Sequence, residues 1–101
     1  MRIEVVGRPS EITEAVRNYV GLRLMSVLDH HVRQVSGVSV SLADTAIGSG
    51  DVGRRCRIRA QLIPRGSAIV EAMDAGLYGA IDGAAEELAR AVARAGRSGF
   101  A

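Results

Sequence analysis

An α+β fold of the order βαβββα, with a four-stranded, mainly antiparallel sheet and two helices on one face, is predicted by three observations in this chain of 101 residues. The segment Leu77 to Arg94, LYGAIDGAAEELARAVAR, places apolar side chains at Leu77, Ile81, Ala84, Ala85, Leu88 and Val92, the spacing of one face of a long helix. A second helical stripe, Val16, Tyr19, Val20, Leu24, Val27 and Leu28, lies near the N-terminus. Between them, Cys56, Ile58, Ala60 and Leu62 alternate with Arg55, Arg57, Arg59 and Gln61, the period-2 pattern of a strand with one face in a core and one in water.

The remaining elements follow in order. Arg2 to Val6 reads as a short strand, stopped by Gly7, Arg8 and Pro9. Thr13 or Ser10 is the expected N-cap of the first helix, with Glu11 and Glu14 near its positive end, and His30 and His31 close it. Val35 to Leu42 alternates with Val38, Val40 and Leu42 inward and Ser39 and Ser41 outward. Asp44 to Gly53, with Gly48, Ser49, Gly50 and Gly53, reads as a long flexible hairpin connection. Pro64 and Gly66 suggest a type I turn, after which Ala68 to Met73 returns as the fourth strand. The last helix is expected to begin near Gly76. The two helices should cover one face of the sheet and leave the other solvated.

Composition narrows the function classes. Apolar residues make up 48%, enough for one thin core, and residues 1–101 read as a single domain. Aromatic residues make up only 3% (Tyr19, Tyr78 and Phe100), so stacking platforms for unpaired bases are nearly absent. The formal charge is +2, and all 13 basic residues are arginine, whose forked donors suit phosphates and carboxylates. Cys56 is the lone cysteine and forms neither an internal disulfide nor a zinc site by itself. No apolar run approaches a membrane span and no signal-peptide pattern opens the chain, so a cytoplasmic protein without a membrane partner is expected.

Few constellations carry chemistry. Arg55, Arg57 and Arg59 form a ladder with guanidiniums about 6.5–7 Å apart on one strand face, able to follow a nucleic-acid backbone. The same ladder also reads as a solvated face balanced by cross-strand acids such as Glu4 or Glu71. Arg90, Arg94 and Arg97 share one flank of the last helix. They suit phosphate contact, or complement the helix dipole with Glu86 and Glu87 as partners to Arg90. Arg17 and Arg23 strengthen the phosphate reading if folding sets them beside that helix. His30 and His31 should point in different directions and lack further ligands, Cys56 alternates into the core, and the glycines near 48–53 lack the strand-to-helix context of a phosphate loop. No catalytic residue, metal site, cofactor or small-molecule substrate is expected.

The motifs themselves resemble the ribosome hibernation-promoting factor family, also known as ribosome-associated inhibitors or sigma-factor modulation proteins. EITEAVRNYVGLRL at Glu11 to Leu24 resembles the family's opening helix. LYGAID at Leu77 to Asp82 and LARAVAR at Leu88 to Arg94 resemble the start and continuation of its second helix. The resemblance implies a fold similar to double-stranded-RNA-binding domains. It implies a translation inhibitor that occupies the tRNA and mRNA channel of the small ribosomal subunit and stores idle ribosomes, holding ribosomal RNA phosphates by shape and charge. Arg23, Arg90 and Arg94 match the family's basic positions; Arg17 and Arg97 are supporting contacts, and Arg55, Arg57 and Arg59 a further candidate group.

Several positions depart from the family. Ser26 and Asp29 stand where lysine is common after the first helix's Arg-Leu pair, and Glu87 reverses a lysine before Leu88. Gly76 replaces an aspartate at the second helix start, with Asp74 two residues upstream, and Gly79 and Gly83 loosen its first turn by up to about 1 kcal/mol each. The chain ends at Ala101 without the dimerisation domain of the long family form, so it is expected to cap ribosomes rather than link two of them. The alternative reading is a diverged member acting as a protein-interaction or homodimerisation module.

Overall fold

Local chemistry starts each element of the computed structural model, which describes residues 1–48 and 50–98, without the side chains of Arg97 and Ser98. Ser49 and Phe100 therefore lie outside the described residues, as does the side chain of Arg97. Strand β1 spans Arg2–Val6 and helix α1 Glu14–Leu28. The Thr13 hydroxyl accepts a hydrogen bond from the Val16 N–H, which identifies Thr13, not Ser10, as the N-cap. Helix α1 stops at Leu28, and a 3₁₀ segment, Asp29–Gln34, follows with Asp29 at φ 49°. His30 and His31 thus sit beyond the helix they were expected to close. Their rings lie 4.2 Å apart rather than diverging.

Strand β2 runs Val35–Ile47, β3 Asp51–Leu62 and β4 Ser67–Asp74, and α2 Leu77–Ser98 closes the chain. The sheet order is β1-β2-β3-β4; β1 lies parallel to β2, and the other pairs are antiparallel. The long connection expected from Asp44 to Gly53 is instead mostly strand. Asp44 pairs with Arg54, Thr45 with Gly53 and Ile47 with Asp51, leaving Gly48 and Gly50 in the turn. Gly48 and Gly50 take φ 58° and 92° there, a region other residues enter at a cost. Gly53 is required for a different reason: a Cβ would stand 2.8 Å from Ile47 and 2.9 Å from the Asp74 carbonyl. The second hairpin also differs from expectation. Residues 63–65 are bends rather than the hydrogen-bonded type I turn anticipated; the Ile63–Pro64 peptide is cis and Gly66 has φ 93°.

The core is one cluster between the sheet and the helices. Val16, Val20, Leu24 and Leu28 from α1 and Ile81, Ala84, Ala85, Leu88 and Val92 from α2 are buried. They meet Val38, Val40, Leu42, Cys56, Ile58 and Ala60 from the sheet, with Tyr19, Val27, Leu62 and Leu77 packed partly buried around them. The predicted helical stripes and inward strand residues all face this cluster, and Ala80 joins them. Two glycines let α2 approach the sheet and its own cap. Added to Gly83, a Cβ would stand 3.0 Å from Ala72 on β4; added to Gly79, it would collide with the Asp74 carboxylate. That carboxylate accepts a hydrogen bond of 3.0 Å from the Gly76 N–H. Asp74 therefore satisfies a donor at the start of α2, and Gly79, which looked like a helix weakness, makes room for it.

Candidate nucleic-acid interface

Helical spacing puts Tyr19 and Arg23 on the flank of α1 that faces α2. Tyr19 donates its hydroxyl to Asp82 Oδ1 at 2.5 Å, and Arg23 Nε donates to the same oxygen at 2.9 Å. Arg23 Nη2 reaches Glu86 Oε2 at 3.3 Å, and the Tyr78 ring meets Tyr19 edge-on with centroids 4.7 Å apart. Arg23 is thus a bridge between helices, with 29% of its side chain still exposed on the outer surface. The Tyr19 hydroxyl is held above its ordinary pKa of 10, first by its hydrogen bond to Asp82 and then by burial.

Further along α2, Arg90 is exposed and Arg94 is exposed one turn on. Arg90 Nη2 bonds Glu87 Oε1 at 2.6 Å, which raises its pKa further. Glu86, the other acid expected beside Arg90, is taken by Arg23 instead. The reversal of charge at Glu87 therefore neutralises part of the flank that Arg90 presents. Arg17 is not brought to α2. It faces the opposite flank of α1, lining a concavity with Arg2, Ile3, Glu4, Val5 and Gly21.

The strand ladder divides into paired and unpaired members. Glu71 lies directly across from Arg57, which it holds at 3.0 Å, and its other flank faces Arg55 at 3.9 Å. Arg59 is opposite Ile69 on one side and Ser39 on the other, with no acid partner among the described residues. Glu4, the second acid expected to balance the ladder, lies two strands away beside Ser39.

A further charged cluster escaped the sequence reading. Arg8 Nη2 donates to Glu11 and to Asp44 at 3.1 Å each, and Arg54 lies 2.5 Å from Glu11 and 3.1 Å from Asp44. Sequence spacing did not reveal it, since its members come from three separate segments. Burial raises the Glu11 pKa, but hydrogen bonds and charge from Arg54 and Arg8 outweigh it and leave the carboxyl below its usual 4.5. The cluster ties the segment before α1 to the β2–β3 hairpin.

Cys56 is fully buried, and burial pushes its thiol up to about 12. Among the described residues no group of three His, Cys, Asp or Glu side chains is placed to hold a metal ion, and no helix is long and apolar enough to cross a membrane.

Topology and surface together define an arginine-faced α+β domain of the βαβββα type. The sequence profile of the family described as Sigma 54 modulation protein / S30EA ribosomal protein matches residues 3–97, and the chain belongs to that family. Among solved structures, the N-terminal domain of Thermus thermophilus Protein Y is similar at 35% identity and a TM-score of 0.73, with 93% of this chain and 98% of that one covered. A ribosomal subunit interface protein from Coxiella burnetii shares the fold at 15% identity and a TM-score of 0.73, over 93% of this chain and 96% of that one. No curated protein matches the sequence.

Proposed function

We propose that this chain is a cytoplasmic, ribosome-binding translation inhibitor that occupies the tRNA and mRNA channel of the small subunit and stores idle ribosomes. One observation carries the reading: the match to a ribosomal protein family runs from residue 3 to residue 97, through both helices and the sheet. The exposed arginines support it. Arg90 and Arg94 contact ribosomal RNA phosphates from α2, and Arg23 adds its exposed edge while holding α1 in place. Arg17 contacts RNA from the other side of α1. The mechanism needs no bond making: rigid helices offer guanidiniums to phosphates, and the body of the domain excludes tRNA and mRNA.

Co-sedimentation with purified ribosomes at about 50 and about 200 mM salt tests it. Binding to the small subunit through four phosphate contacts weakens about 100-fold between those salts, and absence of binding at both sinks the proposal.

A second reading, a homodimer through β4, is favoured by Ile69 and Met73, which are 60% and 56% exposed on that edge strand. Sedimentation equilibrium decides it: a monomer at high protein concentration excludes the dimer.

A further inference from the structure

The arginines of this domain sort by whether an acid holds them. Arg8, Arg23, Arg54, Arg55, Arg57 and Arg90 all lie within 4.0 Å of a carboxylate oxygen. Of the arginines with no such partner among the described residues, Arg2, Arg17 and Arg59 are joined in space, whereas Arg33 and Arg65 lie outside this group. Arg17 and Arg2 line the concavity between α1 and β1, about 400 Å³ in volume. Arg2 and Arg59 line a second concavity of about 410 Å³ on the helix-free face of the sheet. Arg2, on the edge strand, belongs to both.

The floor of the second concavity explains its shape. Arg2 pairs with Gly37, which pairs with Gln61; Glu4 pairs with Ser39, which pairs with Arg59. Small residues on β2 thus lie between taller side chains on β1 and β3, and the hydroxyls of Ser36 and Ser39 with the Gln61 amide add neutral hydrogen-bonding groups to the walls. Strand spacing puts the Arg2 and Arg59 Cα atoms about 12 Å apart.

We infer that this band, from Arg17 around the β1 edge through Arg2 to Arg59, is a second RNA-backbone site, separate from the α2 flank. Its ligand is a phosphodiester strand. Unpaired guanidiniums and hydroxyl donors suit successive phosphates, and the lack of aromatic side chains among the lining residues suits backbone contact without base stacking. The domain is only 19 Å across its thinnest axis, so helices and sheet present cations on opposite broad faces of one slab. RNA gripping both faces would hold the domain as a wedge. Glu4 lines both concavities and opposes this charge, which makes it a brake on the site.

This inference deepens the ribosome-binding proposal and rests on it for the identity of the RNA. The test measures affinity and salt dependence for purified small subunits, and in parallel for a fluorescent oligouridylate of twelve nucleotides. In Arg2→Gln/Arg59→Gln, two lost contacts reduce the salt slope by about 1.8 on helical ribosomal RNA and about 1.4 on the single-stranded oligouridylate, so the affinity loss between 50 and 200 mM salt shrinks about 12-fold and about 7-fold. Glu4→Gln tightens both complexes, a gain that damage to the fold cannot imitate. Unchanged affinity and slope in both variants, while Arg90→Glu/Arg94→Glu releases subunits, overturns the second site and leaves the main proposal standing. Oligouridylate binding that depends on Arg2 and Arg59, by a wild-type chain that ignores ribosomes, keeps the site and sinks that proposal. No oligouridylate binding at about 50 mM salt, with no ribosome binding, overturns both.

Discussion

Tyr19 and Asp82, 63 residues apart in the chain, are joined by a hydrogen bond of 2.5 Å whose acceptor oxygen also receives Arg23. This is a charge-assisted bond, and it fixes how α1 lies against α2. Tyr19→Phe should cost about 1.5 kcal/mol, read as a lower urea midpoint with the slope unchanged. Asp82→Ala should cost more, since it also removes the nearer of the two carboxylates that hold the partly buried Arg23. An unaltered midpoint in both would remove this contact from the account of helix packing.

The same bond predicts an alkaline limit. Tyr19 is held protonated above its ordinary pKa of 10, so the stabilisation is complete below 10 and fades as pH rises through the higher folded value. Ultraviolet titration of the folded chain should show a tyrosine ionising late, and Tyr19→Phe should abolish that step.

At the acid end, Glu11 carries the opposite sign. Its folded pKa lies below 4.5, so its stabilisation is present above 4.5 and is lost as pH falls through the depressed folded value. Thermal midpoints measured down a pH series should fall more steeply for the wild type than for Glu11→Gln, which lacks that proton linkage. Parallel curves would show that the cluster of Arg8, Glu11, Asp44 and Arg54 contributes nothing through this carboxyl.

Gly79 and Asp74 should be coupled. Gly79→Ala gains about 1 kcal/mol of helix propensity but must displace the carboxylate that caps α2. In an Asp74→Ala background the gain appears in full; in the wild type most of it is cancelled. A double-mutant cycle measures the difference, and simple additivity would show that the cap and the glycine are independent.

On the proposed ribosome contact, Arg90→Glu with Arg94→Glu should release subunits while moving the thermal midpoint little, because the exposed Arg90–Glu87 pair is screened by water and contributes little to stability. Binding that survives the double substitution excludes this flank as the contact.

Much of the architecture was legible one element at a time. The alternation through Cys56, Ile58 and Ala60, the stripes of both helices and the Thr13 cap depend on neighbours within a few residues, and all face or sit where the spacing places them. The glycine-rich stretch from Asp44 to Gly53 read as loop because its strand character comes from pairing across the hairpin, including Asp44 opposite Arg54. The His30–His31 pair and the turn at Pro64 were misread because each depends on backbone dihedrals that residue type alone leaves open.

The chain by itself determined which residues turn inward, the βαβββα order, and the family to which it belongs, since these rest on local periodicity and on motifs contiguous in sequence. The state of its arginines was decided only in three dimensions. Arg17 and Arg23 are six residues apart on one helix, yet Arg23 is drawn into Asp82 and Glu86 while Arg17 turns to the β1 edge with no carboxylate within 4.0 Å among the described residues. Charge is written in the sequence, but whether a charge is spent inside the molecule or offered outside it depends on which distant carboxylate the fold brings within 4 Å.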